Sequence, residues 1–533
     1  MRPLGGLTRS GLIALFAVML LVPLMLTSMP LLGDFPNHAA RFWLLGGGIA
    51  QMPDIYGADW SRAFTNIGGD LLARALAGLV AGDHVAQGIL AFAIIGPPLG
   101  CLLLNWRLMG WNVWQLALPA LAWTMTLIFG FITFQMGLAL ALILAALDAS
   151  MRPSALRWVV RLVLSAALLV VHPFALLFYA ALLGGLVIGP RIADHFASRR
   201  AFTGFLGSGL LLVVCCVLPV VVLALTAAHL PGEDQAAGST GTVWNPGIAS
   251  RISALLSPFR TYALRMDVAF MLLLAVVPAY ALLRRRLHVH QGLLAVAVIL
   301  GIASLFMPTV VAGTSAIELR LPIMALLAAA AAIRIDFASR RVLVGAAVLL
   351  AAVSTLRTLD VARHWVRAEA DVAAVRTVLA ALPPHSFVLP LQHEASREAQ
   401  ASAPLGRYFA GRLPAYTQTG ALATLWRQSF VPNLFTARGK QPLVVLPPSD
   451  EIAVPEGEIA SVHALVDPDY PLPASQAYVR RWRERFDYAL VLNADMPDQN
   501  GPVELPEGVE VVADQGFAQL LRLPRARMTS QLR

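Results

Sequence analysis

The residues best equipped for chemistry stand together where the chain's first apolar run ends, in Gly33-Asp34-Phe35-Pro36-Asn37-His38-Ala39-Ala40-Arg41. Pro36 fits the first turn of a helix, and spacings of four and three then bring Asp34, His38 and Arg41 to one helical face. A carboxylate at a membrane–water boundary, beside an imidazole and a guanidinium, can take a proton from a hydroxyl as general base. The same aspartate also suits plain N-capping, its side chain accepting an amide hydrogen of the first turn. Both readings stay open on the residues alone. Further along, Trp60 and Asn66-Ile67-Gly68-Gly69 lead to Asp70, which either caps the helix running to Leu79 or faces Asp34 across a cleft.

Asp34 and Asp70 together offer two carboxylates to a divalent cation, but no His, Asp or Glu spacing specifies a metal by itself. Arg320, beside Glu318, is the candidate for binding phosphate. Its planar fork matches phosphate oxygens two at a time, and an arginine at the end of an apolar run is costly unless paired or functional. Pairing with Glu318, or reaching to lipid headgroups, explains it equally well. Arg260, Tyr262 and Arg265 suit the same task or simple headgroup contact. His172, beside Pro173, reads first as a buried imidazole satisfied by a neighbouring carbonyl and only second as a binding residue. Other chemistries drop out. Gly46-Gly47-Gly48 lacks the Lys-Ser/Thr and the preceding strand of a phosphate loop, and no Gly-x-Ser-x-Gly elbow occurs. Cys101, Cys215 and Cys216 all lie in apolar runs and form no Cys-x-x-Cys. Ala328 to Ala332 is helix-packing surface of the small-residue kind.

The elements that must position these residues are those of a membrane. Of 533 residues, 58% are hydrophobic and 13% charged, with a mean hydropathy of +0.69. Soluble domains carry about 25% charged residues, so neither a soluble enzyme nor a disordered chain fits. Crossing a bilayer takes roughly 20 apolar residues. Runs of about that kind cover 11–32, 85–104, 111–129, 131–147, 159–171, 174–188, 205–228, 268–283, 292–307, 319–333 and 342–356, or about eleven transmembrane helices. The first has the outline of a signal peptide but no Ala-x-Ala cleavage site, and is expected to be retained. The net charge of +9 is spread in arginine clusters between alternate runs: Arg107; Arg152, Arg157 and Arg161; Arg191, Arg199 and Arg200; Arg284 to Arg286; Arg334, Arg340 and Arg341. Positive loops stay in the cytoplasm. An N-terminus inside and an odd span count then place the tail outside, in a bacterial periplasm. Loops 33–84 and 229–266 face the same way, the latter opening on Pro231-Gly232 and a Gly238-to-Gly241 segment. The expected division is a membrane domain over 1–358 and a periplasmic α/β domain over 359–533. The tail has helical patterns at 369–382 and 475–486 and strand-like runs at 387–391, 443–446, 488–492, 509–512 and 518–523. At this length it is expected to fold by itself.

The motif at Asp34 resembles the GT-C superfamily of integral-membrane glycosyltransferases, and within it an uncharacterised bacterial branch. That branch shows Asp-Tyr-Pro-Asn-His-Leu-Ala-Arg after its first span, and an Asp-Leu pattern later in the loop, here Asp70-Leu71-Leu72. Gly130-Phe131-Ile132-Thr133-Phe134-Gln135-Met136-Gly137 is similar to its Gly-Phe-x-Asn-Phe-x-x-Gly, with Thr133 in place of asparagine. His172-Pro173-Phe174-Ala175, Glu318-Leu319-Arg320-Leu321 and, in the tail, Val431-Pro432-Asn433-Leu434-Phe435 continue the likeness. The resemblance implies a polyprenyl-phosphate-sugar donor, a lipid, glycan or protein acceptor on the periplasmic side of the inner membrane, and inverting transfer. It also implies a first loop, 33–84, whose acidic residue is the catalytic base; only Asp34 matches that position. Asp70, His38, Arg41, Glu318, Arg320, His172 and Arg260 are the residues expected to bind substrate, with no nucleic acid involved. A rival reading is a transporter or an accessory subunit of envelope polysaccharide assembly. Transporters, however, gather polar residues at mid-membrane, whereas here they collect at one boundary.

Overall fold

A computed structural model describes residues 6–226, 242–244, 247–311 and 314–524; Arg2, the end of the seventh apolar run and Pro231 to Gly241 lie outside them. Helices that are apolar all round bury themselves in a bundle or in lipid. Four are long and apolar enough to cross a membrane: Gly82–Met109, Arg199–Thr226, Leu264–Leu283 and Arg340–Ala380. Shorter apolar helices, among them Ile132–Asp148, Pro173–Ile188 and Gln291–Ser304, pack with them into a polytopic α-helical membrane protein. Two of the first three runs differ from expectation. The first helix ends at Met25, because Ser28 turns aside to give its amide and hydroxyl hydrogens to Glu369. The third run is a 3-10 helix, Val113–Ala122, with Pro119 inside it and a capping box of Asn112 and Gln115; the chain then restarts at Thr124 as the short helix Met125–Ile128.

The arginine-bearing loops meet at one end of the bundle. Arg107 donates to Ser150 Oγ at 2.8 Å. Arg157 and Arg161 both fork onto Asp148, and Arg334 reaches the Met109 carbonyl. Strands Leu287–Val289 and Ile333–Ile335 pair antiparallel beside them, and the Ile192 amide donates to Gln291 Oε1 at 2.9 Å. Asp34, Phe129, His172, Arg260, Glu318 and the tail gather at the opposite end.

The last apolar run does not stop at 356. One helix, Arg340–Ala380, carries on through the boundary expected at 358/359 and forms the back of the tail. Two buried arginines fasten it. Arg357 binds Asp267 Oδ1 at 3.2 Å and the carbonyls of Trp123 and Phe259 at 2.8 and 2.7 Å. Arg407 grips Asp371 at 2.9 and 2.7 Å and Asp495 at 2.7 and 3.1 Å. The tail's sheet runs Glu510–Asp514, Ala518–Arg522, Tyr488–Leu492, Val388–Gln392, Ala460–Ser461; the last three strands are mutually parallel and the others antiparallel. All five expected strands form, but Leu443–Val445 leaves this sheet to pair with Tyr56–Ala58 of the first loop. A single apolar core joins Phe35, Phe42 and Tyr56 to Phe430, Leu434 and Leu443. The tail, expected to fold by itself, therefore shares its core and a strand pair with the first loop.

Candidate active site

The helix Phe35–Leu45 carries the central motif, with Pro36 in its first turn and Gly46 at its end. Asp34 stands at the N-cap position, yet its backbone is already helical (φ −81°, ψ −8°) and its side chain makes no capping bond. Its main chain does the joining instead. The Asp34 amide donates to Phe129 O at 2.9 Å, and its carbonyl accepts from the His38 amide at 3.0 Å. Gly130 makes this approach feasible: it sits at φ +84°, and a Cβ there would lie 2.7 Å from the Asp34 nitrogen. The capping reading is thus answered, and the half-buried carboxylate is left over for other work. Burial pushes its pKa up to about 7; Glu456 adds to the rise, while Arg320 and Arg41 oppose it.

His38 lies flat on Phe42 (5.8 Å between ring centres) and edge-on to Phe435 (5.1 Å). Burial, then the nearby Arg41 charge, holds its imidazole well below the usual histidine range, so it is neutral, and its buried Nδ1 has no hydrogen-bond partner among the described residues. Arg41 forks onto Asp70, Nε to Oδ1 at 2.7 Å and Nη2 to Oδ2 at 3.3 Å, with both side chains fully buried. Asp70 therefore faces Arg41, neither capping its helix nor meeting Asp34. The two-carboxylate cation site does not fit these residues, and no step is assigned to a metal. Among the described residues no group of three or more His, Cys, Asp or Glu is placed to bind one.

Arg320 opens the helix Arg320–Ala332 and is 9% exposed. Its guanidinium sits within 5.3, 5.8 and 5.0 Å of the ring centres of Phe131, Phe134 and Phe174. Among the described residues it forms no hydrogen bond or ion pair, so neither pairing with Glu318 nor snorkelling describes it. The rings stabilise the charge through their faces and leave the N–H donors unused. Phe131 and Phe134 come from the Gly130 motif and Phe174 from the His172 motif, so three of the short motifs meet at this one cation. His172 caps the helix Pro173–Ile188, its Nδ1 accepting from the Phe174 amide at 3.1 Å. The partner is an amide hydrogen rather than the expected carbonyl, and the ring helps position Phe134 and Phe174.

Glu318 is half-buried, its Oε2 has no hydrogen-bond partner among the described residues, and burial raises its pKa. It lines a cavity of about 310 Å³ together with Met125, Phe129, Arg251, Arg260 and Leu319. Phe129 is also the residue that holds the Asp34 amide, so the cavity ends against the site. Arg260 is committed to structure, donating to Ser253 Oγ at 2.6 Å and to Ala410 O of the tail at 2.9 Å. Tyr262 is buried, accepting from Trp365 Nε1 at 2.9 Å and stacked on His364; Arg265 is exposed.

Sequence reasoning missed two participants. Asn37 bridges to the tail: its Nδ2 donates to Gln418 Oε1 at 2.9 Å and Asn433 O at 3.1 Å, and its Oδ1 accepts from the Phe435 amide at 2.9 Å. The signal was available, since Asn37 and Asn433 both stand in motifs. Glu456, from the tail, had none.

No family model matches the chain, and no curated protein sequence does. Among solved structures, the apo crystal structure of ArnT from Cupriavidus metallidurans is similar at a TM-score of 0.50 and 12% identity, over 96% of this chain and 98% of that one. A second crystal structure of that protein, bound to undecaprenyl phosphate, gives 0.47 at the same identity and coverage. At such identity the likeness is one of fold. With its helical bundle, its C-terminal sheet and the alignment to the apo structure over nearly its whole length, the chain has an ArnT-like fold.

Proposed function

We propose that the protein is a glycosyltransferase of the bacterial inner membrane, moving a sugar from a polyprenyl-phosphate donor to a hydroxyl of a lipid, glycan or protein acceptor, with inversion. The N-terminus would lie in the cytoplasm, and the site and tail on the periplasmic side. One observation carries the reading. An uncapped carboxylate, Asp34, shares an end of the bundle with a caged cation, Arg320, whose donors are unspent. The two supply what transfer needs. Asp34 takes the acceptor proton as the oxygen bonds to the anomeric carbon. The bond from that carbon to the phosphate oxygen breaks, its electron pair goes to the phosphate, and Arg320 stabilises the charge that develops there. The cavity beside Glu318 is lined by the apolar Met125, Phe129 and Leu319 and by Arg251 and Arg260, a mixture that suits a lipid phosphate.

The test is Asp34→Asn, assayed as the purified full chain with polyprenyl-phosphate sugars. The side chain already caps nothing, so folded protein should reach the membrane in normal amount. Loss of a general base should lower turnover by about 10²–10⁴-fold. In the parent protein kcat/KM should rise with pH through neutrality, because Asp34 must be ionised to act and its carboxyl releases its proton at about 7. Undiminished turnover in Asp34→Asn would reject the assignment of Asp34 as the base.

A further inference from the structure

The cavity of about 310 Å³ that ends at Phe129 offers more hydrogen-bond acceptors than a phosphate can use. Four hydroxyl-bearing residues among those described line it. Ser250 gives its hydrogen to Gly247 O at 2.9 Å, Ser304 to Gly301 O at 2.7 Å and Thr309 to Val243 O at 3.0 Å. What those three can still offer a ligand is an oxygen lone pair. The fourth, Ser253, accepts from Arg260 Nη1 at 2.6 Å. Glu318 adds a carboxylate whose Oε2 is buried without a hydrogen-bond partner among the described residues, and a buried acceptor left unmet is costly. The turn that carries it, Ile317–Leu319, is entered through Ala316 at φ +55°, a strained backbone state for a residue with a Cβ, and runs straight into Arg320. Ligand pockets span about 300–1,000 Å³. At the lower end of that range there is room for a compact head group and none for a long isoprenoid tail.

The arginines of the cavity, Arg251 and Arg260, suit the phosphate of a lipid-linked sugar, but a carboxylate and a set of lone pairs repel it. The part of the donor that these acceptors match is the sugar, whose hydroxyls have hydrogens to give. We infer that Glu318 is a specificity-determining residue that holds hydroxyls of the sugar on the polyprenyl-phosphate donor, and so separates loaded carrier from spent carrier. The inference rests on the polyprenyl-phosphate reading and not on Asp34 being the base. Charge sharpens the distinction. The loaded donor is a phosphate diester with a single negative charge. Transfer breaks the bond from the anomeric carbon to the phosphate oxygen, and the monoester left behind carries about two charges near neutral pH. Glu318 stands two residues before Arg320, the cation assigned to that phosphate. It therefore accepts hydrogen bonds from the loaded carrier and meets only a like charge in the spent one. One carboxylate both selects the donor and speeds departure of the product.

The experiment measures equilibrium binding to the purified full chain in nanodiscs of phosphatidylethanolamine and phosphatidylglycerol. The probes are bare polyprenyl phosphate and the same carrier loaded with glucose, galactose or mannose. The parent should bind at least one loaded lipid more tightly than the bare one. Glu318→Gln keeps the size of the side chain and removes its charge. It should shrink that preference by about tenfold or more, the weight of hydrogen bonds to a charged group, by weakening the loaded lipid and tightening the bare one. Glu318→Asp keeps the charge and should retain part of the preference. A parent that prefers none of the loaded lipids overturns the inference. So does a Glu318→Gln protein with the parent's ratio, or one in which loaded and bare lipids weaken alike, as a merely structural role would give. A parent that binds neither kind of lipid is a separate failure, that of the polyprenyl-phosphate donor itself, and it removes the sugar that Glu318 is inferred to hold.

Discussion

A guanidinium that meets three phenylalanine rings and, among the described residues, no hydrogen-bond acceptor is unusual at a bundle boundary, where charge is normally paired. Each ring face contributes on the order of 1 kcal/mol when the cation is desolvated. That holds Arg320 in place while keeping its planar donor fork empty, as a site for a doubly accepting phosphate requires. Lysine would retain the charge and lose the fork. Arg320→Lys should therefore lower kcat/KM for the lipid-phosphate donor by about 10²-fold while Asp34 stays intact. Titrating the donor against both proteins checks this; equal values would mean that Arg320 is only a packed cation. His38 contrasts with it. It is neutral and wedged between Phe42 and Phe435, so it offers shape and one unused ring nitrogen rather than charge.

At the level of the element, the turn at Gly130 presses on the start of the helix Phe35–Leu45. Gly130→Ala places a Cβ 2.7 Å from the Asp34 nitrogen, in a backbone region that costs side-chain-bearing residues about 1–3 kcal/mol. Turnover should fall by more than stability does, because displacing a reacting group by about 1 Å can cost about 10²-fold. Equal abundance and equal turnover would show the contact to be slack. The same region shows how far the sequence is legible. The run from Asp34 to Arg41 announces itself because its members sit a helical turn apart, and helices, strands and the arginine alternation follow equally local rules. Partners do not. Arg41 finds Asp70 29 positions on, and Asn37 finds Phe435 398 positions on. Glu456 follows no pattern at all. The ring cage could not be read either, since its phenylalanines look like ordinary apolar residues until three elements converge.

On the scale of the whole molecule, the tail and the first loop behave as one body with the bundle behind it. A fragment starting at Asp371 would expose Phe430, Leu434 and Phe435, and leave Leu443–Val445 as an unpaired edge without Tyr56–Ala58. Produced alone, it should aggregate or lack a cooperative unfolding transition; a soluble, cooperatively unfolding fragment would contradict the shared core. The clasp from Asn37 to residues 433–435 has a further consequence, for biosynthesis. The ribosome delivers Asp34 early and its surroundings nearly 400 residues later. Closing so long a loop adds little free energy, because the cost grows only with the logarithm of length, so order of arrival is what matters. A nascent or prematurely released chain carries the aspartate but neither Glu456 nor the 432–435 segment beside it. On the proposed function, transfer could begin only once the last third of the chain has been made and has joined the first loop, so translation itself would keep half-built copies from using donor.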